Sequence, residues 1–583
     1  MPEERTIPTS RPATVVTPVV LIGGTQIDRT IQIDSITVRK EVNRVPWAKL
    51  VILDGDASSG NFSTGNGSLF VPGKEVEIQC GYQNDARTLF KGIIVSHSVK
   101  VRSGGNAMLV VECRDQAIKM TIGRKSRYFT DMTDSDIWSQ VAGKYGDTRF
   151  TGSTTSVTHR GMVQYDSSDW DFLLARAEAN GMLCITDDGS LSVGAPDFSR
   201  SPVLSLQFGA TILELDAEID ARHQLNEVSA QGWDPAGQAM KQKEGKDPAV
   251  SLNGNIPPAD LAKVTGSDKF LLNQGGSLDE QELQAWSDAL RLKRQLAKVR
   301  GRVRCKGIDT VKPGLTIELG GVGDRFNGKA FVTAIQHFIA AGDWQLDIQF
   351  GADPNWFSEQ SEMAAKPAAG LLPPVHGLQI GKVVQIHEDP EGEHRIKVHL
   401  PVIAESAEGI WCRLASLDAG KERGAFFLPE TDDEVIVGFL NDDPRQAVVL
   451  GMLNSSALPA PLQAQESNPE KGFVTRSGIR MIFNDEKKSV TVETPGGKKI
   501  IVDDDAGEIS LTDENSNKLV LNSDGISLDS GKDIQLKASG DIKLSAMNIS
   551  AEAQSSLKME GTSGAELKAS GSLVLKGSVV QIN

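Results

Sequence analysis

The chain has 583 residues, of which 39% are hydrophobic, and a formal net charge of −16. Its length predicts about three or four domains, and its acidic balance argues against nucleic-acid binding through a basic face. The five cysteines are far apart and form no Cys-x-x-Cys pair, a pattern typical of small buried hydrophobes in a reducing compartment.

Residues 1–18 are rich in Pro and Thr and are predicted to form an extended N-terminal arm. The acidic start is not followed by an apolar core, so we expect no signal peptide. The longest apolar run, Val15–Ile22, contains Thr17 and Pro18 and is too short to cross a bilayer. We therefore expect synthesis in the cytoplasm and export by another route.

Residues 19–353 are predicted to form one β-rich domain with two barrels and inserted helices. The first barrel covers residues 19–120, where short apolar runs alternate with Gly/Asn/Ser clusters. Residues 134–143 suit a short helix. A stronger helix is predicted over 168–180, with Ser167 or Ser168 as N-cap and Gly181 as the stop. Residues 182–193 are predicted to form a hairpin.

Residues 234–275 are polar and rich in Gly and Pro, which predicts an excursion loop. The motif Ser277–Glu280 has the form of a capping box and predicts a helix that continues to about Val299. Residues 300–350 return to the β pattern and are predicted to form the second barrel.

The remaining domains are separated by short linkers. Residues 354–376 form a small, proline-stiffened linker, and residues 377–454 a compact barrel of five or six strands. Residues 455–471 form a second linker, and a rod occupies residues 472–583.

A ladder of apolar-x-apolar pairs runs through the last part of the rod. The pairs begin at residues 526, 534, 542, 549, 557, 565, 573 and 580, a spacing of 7 or 8 residues. Each pair has the period of a short strand with one buried face. A repeat this short cannot enclose a hydrophobic core alone, and neighbouring units or chains must therefore cover its apolar side chains. The predicted rod core is Ile526, Leu528, Ile534, Leu536, Ile542, Leu544, Ile549, Leu557, Met559, Leu567, Leu573 and Leu575.

Several patterns suggest chemistry but have simpler interpretations. His387, His394 and His399 would not share one strand face, which disfavours a metal site. Asp503–Asp505 lies between apolar pairs and is typical of a solvated turn. Gly320–Gly323 lacks the Lys and helix of a phosphate-binding loop and predicts a hairpin turn. We therefore predict no catalytic, cofactor-binding or metal-binding residues, and no enzyme activity.

Two groups of motifs carry a family resemblance that covers nearly the whole chain. Arg395–Pro401, Trp411–Ala415, Gly424–Glu430, Asp433–Phe439, Asp443–Arg445 and Leu450–Asn454 resemble the OB-fold domain of VgrG spikes. A mild departure is Asp432 where the family has Gly. Asp169–Leu174, Pro313–Ile317, Phe326–Gly328 and Val332–His337 resemble the phage late control D, or tail-hub, module.

The resemblance implies a homotrimeric, non-enzymatic spike and central hub of a contractile injection system, which adapts a threefold needle to a sixfold tube and punctures the target envelope. Implied partners are the tube and baseplate proteins and a PAAR-type tip protein. Tip binding is predicted at Val579, Val580, Ile582 and Asn583. The implied fold is mainly β: two hub barrels with inserted helices, an OB-fold barrel and a trimeric β-helix needle. The short hub and compact end favour the extracellular, antifeeding-prophage-like branch.

Two other functions stay open. One is an envelope-degrading hydrolase whose active site lies within residues 121–300. The other is a glycan-binding trimeric adhesin built on the same rod, which would leave the OB-fold motifs unexplained.

Overall fold

The computed structural model describes residues 15–83, 85–103, 106–248, 250–266, 269–359, 363–405 and 408–582. It contains two compact units, residues 1–376 with 440–446, and residues 377–439 with 447–583. Most of the predicted arm, residues 1–14, lies outside the described residues. At its described end Val16 is buried, bridges to Tyr82 and donates its N–H to the Gly342 oxygen at 3.3 Å.

The first unit begins with seven strands where the β pattern was predicted. They are β1 (Val19–Ile22), β2 (Thr25–Gln26), β3 (Ile33–Glu41), β4 (Trp47–Leu53), β5 (Glu75–Cys80), β6 (Arg87–Lys100) and β7 (Met108–Arg114). Alternate residues of β3 and β4, such as Ile36, Val38 and Leu50, are fully buried. This alternation gives the sheet one core face and one partly solvated face.

Helices and short strands follow. They are β8 (Lys125–Phe129), β9 (Met132–Thr133), α1 (Asp134–Ala142), β10 (Arg149–Gly152), β11 (Thr158–His159), β12 (Met162–Ser167), α2 (Asp169–Ala179), β13 (Leu183–Asp187) and β14 (Ser190–Gly194). Ser168 caps α2 by accepting the Asp171 N–H at 3.0 Å, and Gly181 follows with φ +66°. Both predicted helices and the β13–β14 hairpin are confirmed.

The rest of this unit comprises β15 (Ser205–Gln207), β16 (Glu214–Ile219), β17 (Glu227–Asp234), β18 (Ala239–Glu244), α3 (Pro258–Thr265), β19 (Lys269–Gln274), α4 (Glu280–Leu296), β20 (Val299–Lys306), β21 (Thr316–Gly320), β22 (Gly328–Ala340) and β23 (Asp343–Phe350). The glycine-rich run Gly320–Gly323 leads from β21 into the turn before β22, as predicted.

Two predictions in this region are wrong. The predicted excursion loop contains β18, α3 and β19, because β17 pairs with β18 on one side and β19 on the other. Val228, Leu272 and Leu283 then pack in one small core between this sheet and α4. Helix α4 begins later than predicted, since Asp279, rather than Ser277, caps it by accepting the Gln281 N–H at 2.7 Å.

The two predicted barrels share one sheet of 13 strands. Strand β22 pairs with β3 over residues 334–340 and 35–41, which joins the two halves. Each half keeps its own buried cluster, one centred on residues such as Leu50 and Phe90, the other on residues such as Val303 and Ile348.

The second unit contains a closed barrel of five strands: β24 (Gln379–Gln385), β25 (Ile396–His399), β26 (Ile410–Leu414), β29 (Glu434–Phe439) and β30 (Ala447–Met452). The small hairpin of β27 (Ala419–Gly420) and β28 (Arg423–Gly424) follows β26. Val398, Cys412, Val435 and Val449 fill the barrel. The predicted barrel is confirmed.

The rod begins as a sheet of seven antiparallel strands. They are β31 (Glu470–Val474), β32 (Arg480–Asn484), β33 (Ser489–Glu493), β34 (Lys499–Asp503), β35 (Glu508–Thr512), β36 (Lys518–Asn522) and β37 (Gly525–Asp529). Residues 504–507 form the turn predicted at the Asp503–Asp505 run. Residues 530–582 form no strand in this single chain.

All five cysteines are free and buried, as predicted. Burial raises the pKa of the thiols of Cys80, Cys113, Cys305 and Cys412 to about 12. Helices long and apolar enough to cross a membrane do not occur in the described ranges.

Gly307→Ala is expected to destabilise the first unit by about 1–3 kcal/mol, the usual cost of overpacking. A Cβ at residue 307 would overlap the ring of Trp344, which is 2% exposed. The ring has little freedom to move, since its Nε1 donates to His337 Nδ1 at 3.1 Å. Thermal unfolding measures the loss. The control is Gly146→Ala, where a Cβ meets nothing within 4 Å; equal melting temperatures for the two variants would contradict the clash.

Candidate trimer interface

One face of the β31–β37 sheet is apolar from strand to strand. Two parallel rows cross it, and directly paired residues share a face of an antiparallel sheet. One row is Phe473, Met481, Val492, Ile500, Leu511, Leu519 and Leu528. The other is Phe483, Val490, Val502, Ile509, Leu521 and Ile526. We call these two rows the apolar face.

The opposite face has a central column in which Ile482, Ile501 and Val520 alternate with Thr491, Ser510 and Ser527, beside a column of mostly charged residues. Arg480, Glu493, Lys499, Thr512, Lys518 and Asp529 form one column across it. The charges alternate in sign from Arg480 to Lys499, Thr512 separates Lys499 from Lys518, and Lys499 Nζ lies 3.4 Å from Glu493 Oε1. The charged column is suited to water, whereas the two rows of the apolar face contain apolar side chains alone, so the apolar face is the side that requires a cover.

The turns beside the apolar face are held by local polar contacts. Asp513 accepts the N–H groups of Asn515 and Asn517, each at 2.9 Å. These contacts lower the pKa of Asp513, led by the side-chain hydrogen bond from Asn517. Lys498 Nζ donates to both oxygens of Glu514 at 2.8 Å. The turns therefore present the two rows in a defined register before any partner binds.

The apolar side chains are partly exposed in the single chain. Ile500 and Leu511 are 46% and 41% exposed, and a groove of about 400 Å³ runs between them and Leu528. Contiguous apolar surface of this kind marks an interaction site.

The predicted ladder starts on this sheet. Ile526 and Leu528 lie on β37 and end the two rows. The other predicted core residues lie beyond the strands and are exposed, with Leu536 and Leu544 each at 73%. Their packing against other chains stays a prediction. Of the predicted tip residues, Val579, Val580 and Ile582 are exposed, and Asn583 lies outside the described residues.

The residues of the apolar face that precede Ile526 were not among the predicted rod core. Their signal is present as apolar-x-apolar pairs starting at residues 481, 490, 500, 509 and 519. These pairs recur every 9 or 10 residues, whereas the ladder recurs every 7 or 8. The longer repeat gives room for a strand of five residues and a turn.

Two buried carboxylates lie in the region where a hydrolytic site was considered. Asp134 accepts hydrogen bonds from Arg176 and Asn180, and Asp169 accepts hydrogen bonds from Lys125 and Tyr145. Burial raises the pKa of both carboxyls, but the hydrogen bonds and positive charges outweigh it, so each pKa lies below its ordinary value. Charged, satisfied carboxylates of this kind stabilise a fold and are poorly suited to proton transfer.

The histidines considered for metal binding have separate surroundings. His387 is exposed, and His399 Nε2 lies 2.8 Å from the Ala404 oxygen. Groups of three or more His, Cys, Asp or Glu side chains placed to hold a metal do not occur among the described residues.

Comparison with known families accounts for most of the chain. Residues 12–341 match the Alg8 N-terminal domain. Residues 379–453 match the type VI secretion system/phage-baseplate injector OB domain, and residues 489–583 match the phage baseplate V C-terminal trimerisation domain. The chain belongs to the Alg8 N-terminal domain family and is a VgrG-like baseplate spike protein. The apolar face of this VgrG-like spike lies largely within the matched trimerisation domain.

Curated relatives include two type VI secretion system spike proteins of Pseudomonas aeruginosa. VgrG1b is 22% identical over 440 residues, which cover 70% of this chain and 57% of that protein. VgrG1a is 21% identical over 437 residues, which cover 70% of this chain and 66% of that protein. The VgrG-like spike thus spans less than two thirds of the length of either relative.

Solved structures that match part of this chain include a tail protein of Neisseria meningitidis. It is 17% identical, with a TM-score of 0.43, and the match covers 59% of this chain and 98% of that one. A chain of the half-lidded Francisella PdpA–VgrG complex is 10% identical, with a TM-score of 0.38 and 88% coverage of both chains.

Proposed function

We propose that this chain forms a homotrimer that serves as the spike and central hub of a contractile injection system. The apolar face, within residues that match a trimerisation domain, carries this proposal. Three copies could turn their apolar faces inward and their charged faces to water. Burial of each Ile or Leu side chain would then contribute about 1.5–3 kcal/mol.

The first unit supports a role as adaptor to a tube. One sheet in each chain holds two buried clusters, on either side of the β3–β22 pairing. Three chains would present six such halves, which allows a threefold spike to meet a sixfold ring. We propose the tube and baseplate proteins as partners and envelope puncturing as the action of the rod.

Sedimentation equilibrium of the full chain is expected to give three times the monomer mass, and electron micrographs of the native assembly are expected to place the chain beneath a sheathed tube. The same micrographs test the extracellular, antifeeding-prophage-like branch. A monomer at micromolar concentration would contradict the proposed function.

We propose no catalytic activity. The paired state of Asp134 and Asp169 supports a structural role for the region 121–300. Purified chain is expected to release no fragments from peptidoglycan, and release would favour the hydrolase. Glycan binding by the isolated trimer would favour the adhesin.

Deletion of Val579–Asn583 is expected to leave the trimer intact and to abolish binding of a PAAR-type tip protein. Val579, Val580 and Ile582 in this segment are apolar and exposed, with Ile582 at 84%. Pull-down with a purified tip protein and sedimentation of the same sample measure the two effects. Val574→Ser, at an exposed position upstream, is the control. Unchanged tip binding after the deletion would rule out this site.

A further inference from the structure

The hairpin of β27 and β28 carries two unusually exposed apolar side chains. Leu417 is 90% exposed and Phe426 is 81% exposed. The strand register places them beside one another, since Ala425 donates its N–H to the Asp418 oxygen at 2.9 Å. Exposure of adjacent Leu and Phe side chains to water is unfavourable in free energy, and such exposed apolar pairs commonly mark contact surfaces.

The hairpin holds these side chains in a fixed position. Ser416 Oγ donates to the Ala425 oxygen at 2.7 Å, and Arg423 Nη1 lies 2.9 Å from Asp418 Oδ1. Gly424 has φ +136°, and a Cβ there would meet the backbone of Asp418 and Ala419. The fixed conformation of the hairpin therefore keeps Leu417 and Phe426 exposed in the single chain.

The segment after the hairpin packs on the first strand of the rod. The rings of Phe427 and Phe473 are stacked, with centroids 5.3 Å apart and an angle of 13° between their planes. Arg476 in the next turn reaches Glu430 at 2.8 Å. Because Phe473 pairs with Met481 at the start of one apolar row, Phe427 extends the apolar face toward the hairpin.

We propose that Leu417 and Phe426 bind a second copy of this chain, at the end of its apolar face near Ile479 and Met481. Both receiving side chains are partly exposed, at 43% and 39%. This proposal rests on the proposed homotrimer, because the hairpin borders the surface assigned to it. The hairpin tip carries Lys421 and Glu422, one charge of each sign, which gives no preference for a partner of strong charge. The hairpin acts as a clasp between neighbouring copies at the base of the rod.

Photo-cross-linking of the full chain tests the clasp. p-Benzoylphenylalanine replaces Phe426, and copies of normal and ¹⁵N-labelled chain are mixed, denatured and refolded before irradiation. We expect a covalent dimer whose mixed-isotope peptides join residue 426 to the 475–485 region of another copy. The control carries the same group at Tyr128, 84% exposed in the other unit, and is expected to give no such product. Cross-links confined to one copy would overturn the clasp.

A double variant, Leu417→Asp with Phe426→Asp, tests its energetic role. We expect the protein concentration at which half of the chains are trimeric to rise by about ten- to hundredfold relative to the wild type. Tyr128→Asp is the matched control, and circular dichroism checks that each variant is folded. A wild-type trimer with neither a cross-link between copies nor weakening in the double variant would overturn the clasp and leave the proposed function standing. A monomeric wild type would contradict both the clasp and the proposed function.

Discussion

Leu511→Asp is expected to leave the chain monomeric at micromolar concentration. Leu511 lies in the middle of the apolar face, between Ile500 and Leu519 on the neighbouring strands. The variant lacks the leucine side chain that would be buried on assembly, and its carboxylate would have to be desolvated in the same place. A loss of about 2 kcal/mol at each of three copies weakens assembly by roughly ten-thousandfold. Sedimentation equilibrium measures this change.

Thr512→Asp is the matched control, one residue along the same strand but on the opposite face. Thr512 pairs with Lys499 and Lys518, so a carboxylate there gains two positive neighbours. We expect an unchanged trimer. Ile542→Asp extends the test to the ladder and is also expected to block assembly. A trimeric Leu511→Asp variant would exclude the apolar face, whereas a trimeric and equally heat-resistant Ile542→Asp variant would exclude only the ladder.

Asp134→Ala is expected to destabilise the packing of α1 on α2 by about 3–5 kcal/mol, the usual cost of breaking a buried ion pair. The carboxylate accepts from Arg176 Nε and Nη2 at 2.8 and 2.9 Å, and its side chain is only 2% exposed. Without the Asp134 carboxylate, Arg176 still donates to Glu282 Oε1 at 3.0 Å but loses its main hydrogen-bond partner. Hydrogen exchange of the α1 and α2 amides measures the free energy of local opening.

The effect of Asp134 should depend on pH with a definite sign. Burial raises the pKa of this carboxyl, but the hydrogen bonds and charge of Arg176 outweigh burial, so the folded pKa lies below the ordinary value. The stabilisation is therefore fully present above the unfolded pKa of about 3.9 and is lost as the pH falls through the folded pKa. The difference in opening free energy between wild type and Asp134→Asn should shrink below about pH 4.

Asp147→Asn provides the comparison for an exposed ion pair. Asp147 pairs with Lys119, and both side chains are largely solvated. Its loss should change the free energy of opening by about 0–1 kcal/mol. Equal effects of the Asp147 and Asp134 variants, or a difference for Asp134 that does not shrink at all as the pH falls below about 4, would contradict the assigned role of the buried pair.

Local signals made part of this fold predictable. Helix α2 has a cap at Ser168 and a glycine stop at Gly181, so both ends are determined within a few residues. Helix α4 offered two competing caps two residues apart, and the sequence alone does not decide between Ser277 and Asp279. The closed barrel was predictable in part because strands such as Ile396–His399 alternate buried apolar residues with less buried polar ones.

Long-range pairing explains what was not predictable. Strand β18 is exposed along most of its length and is a strand because β17 lies beside it. The pairing of β3 with β22 joins segments about 300 residues apart, which no local pattern encodes. Similarly, the apolar pairs before Ile526 become one surface only when the strand register aligns them. The tip residues and the ladder beyond β37 stay predictions about the assembled trimer.

The buried cysteines make this chain convenient for single-site chemistry. All five thiols are inaccessible, and burial holds their pKa values far above the pH used for maleimide coupling. A cysteine introduced at an exposed position would therefore react alone, without removal of the native ones. Fluorophores placed in this way at the rod and in the first unit would allow the proposed passage of one spike through an envelope to be tested in real time.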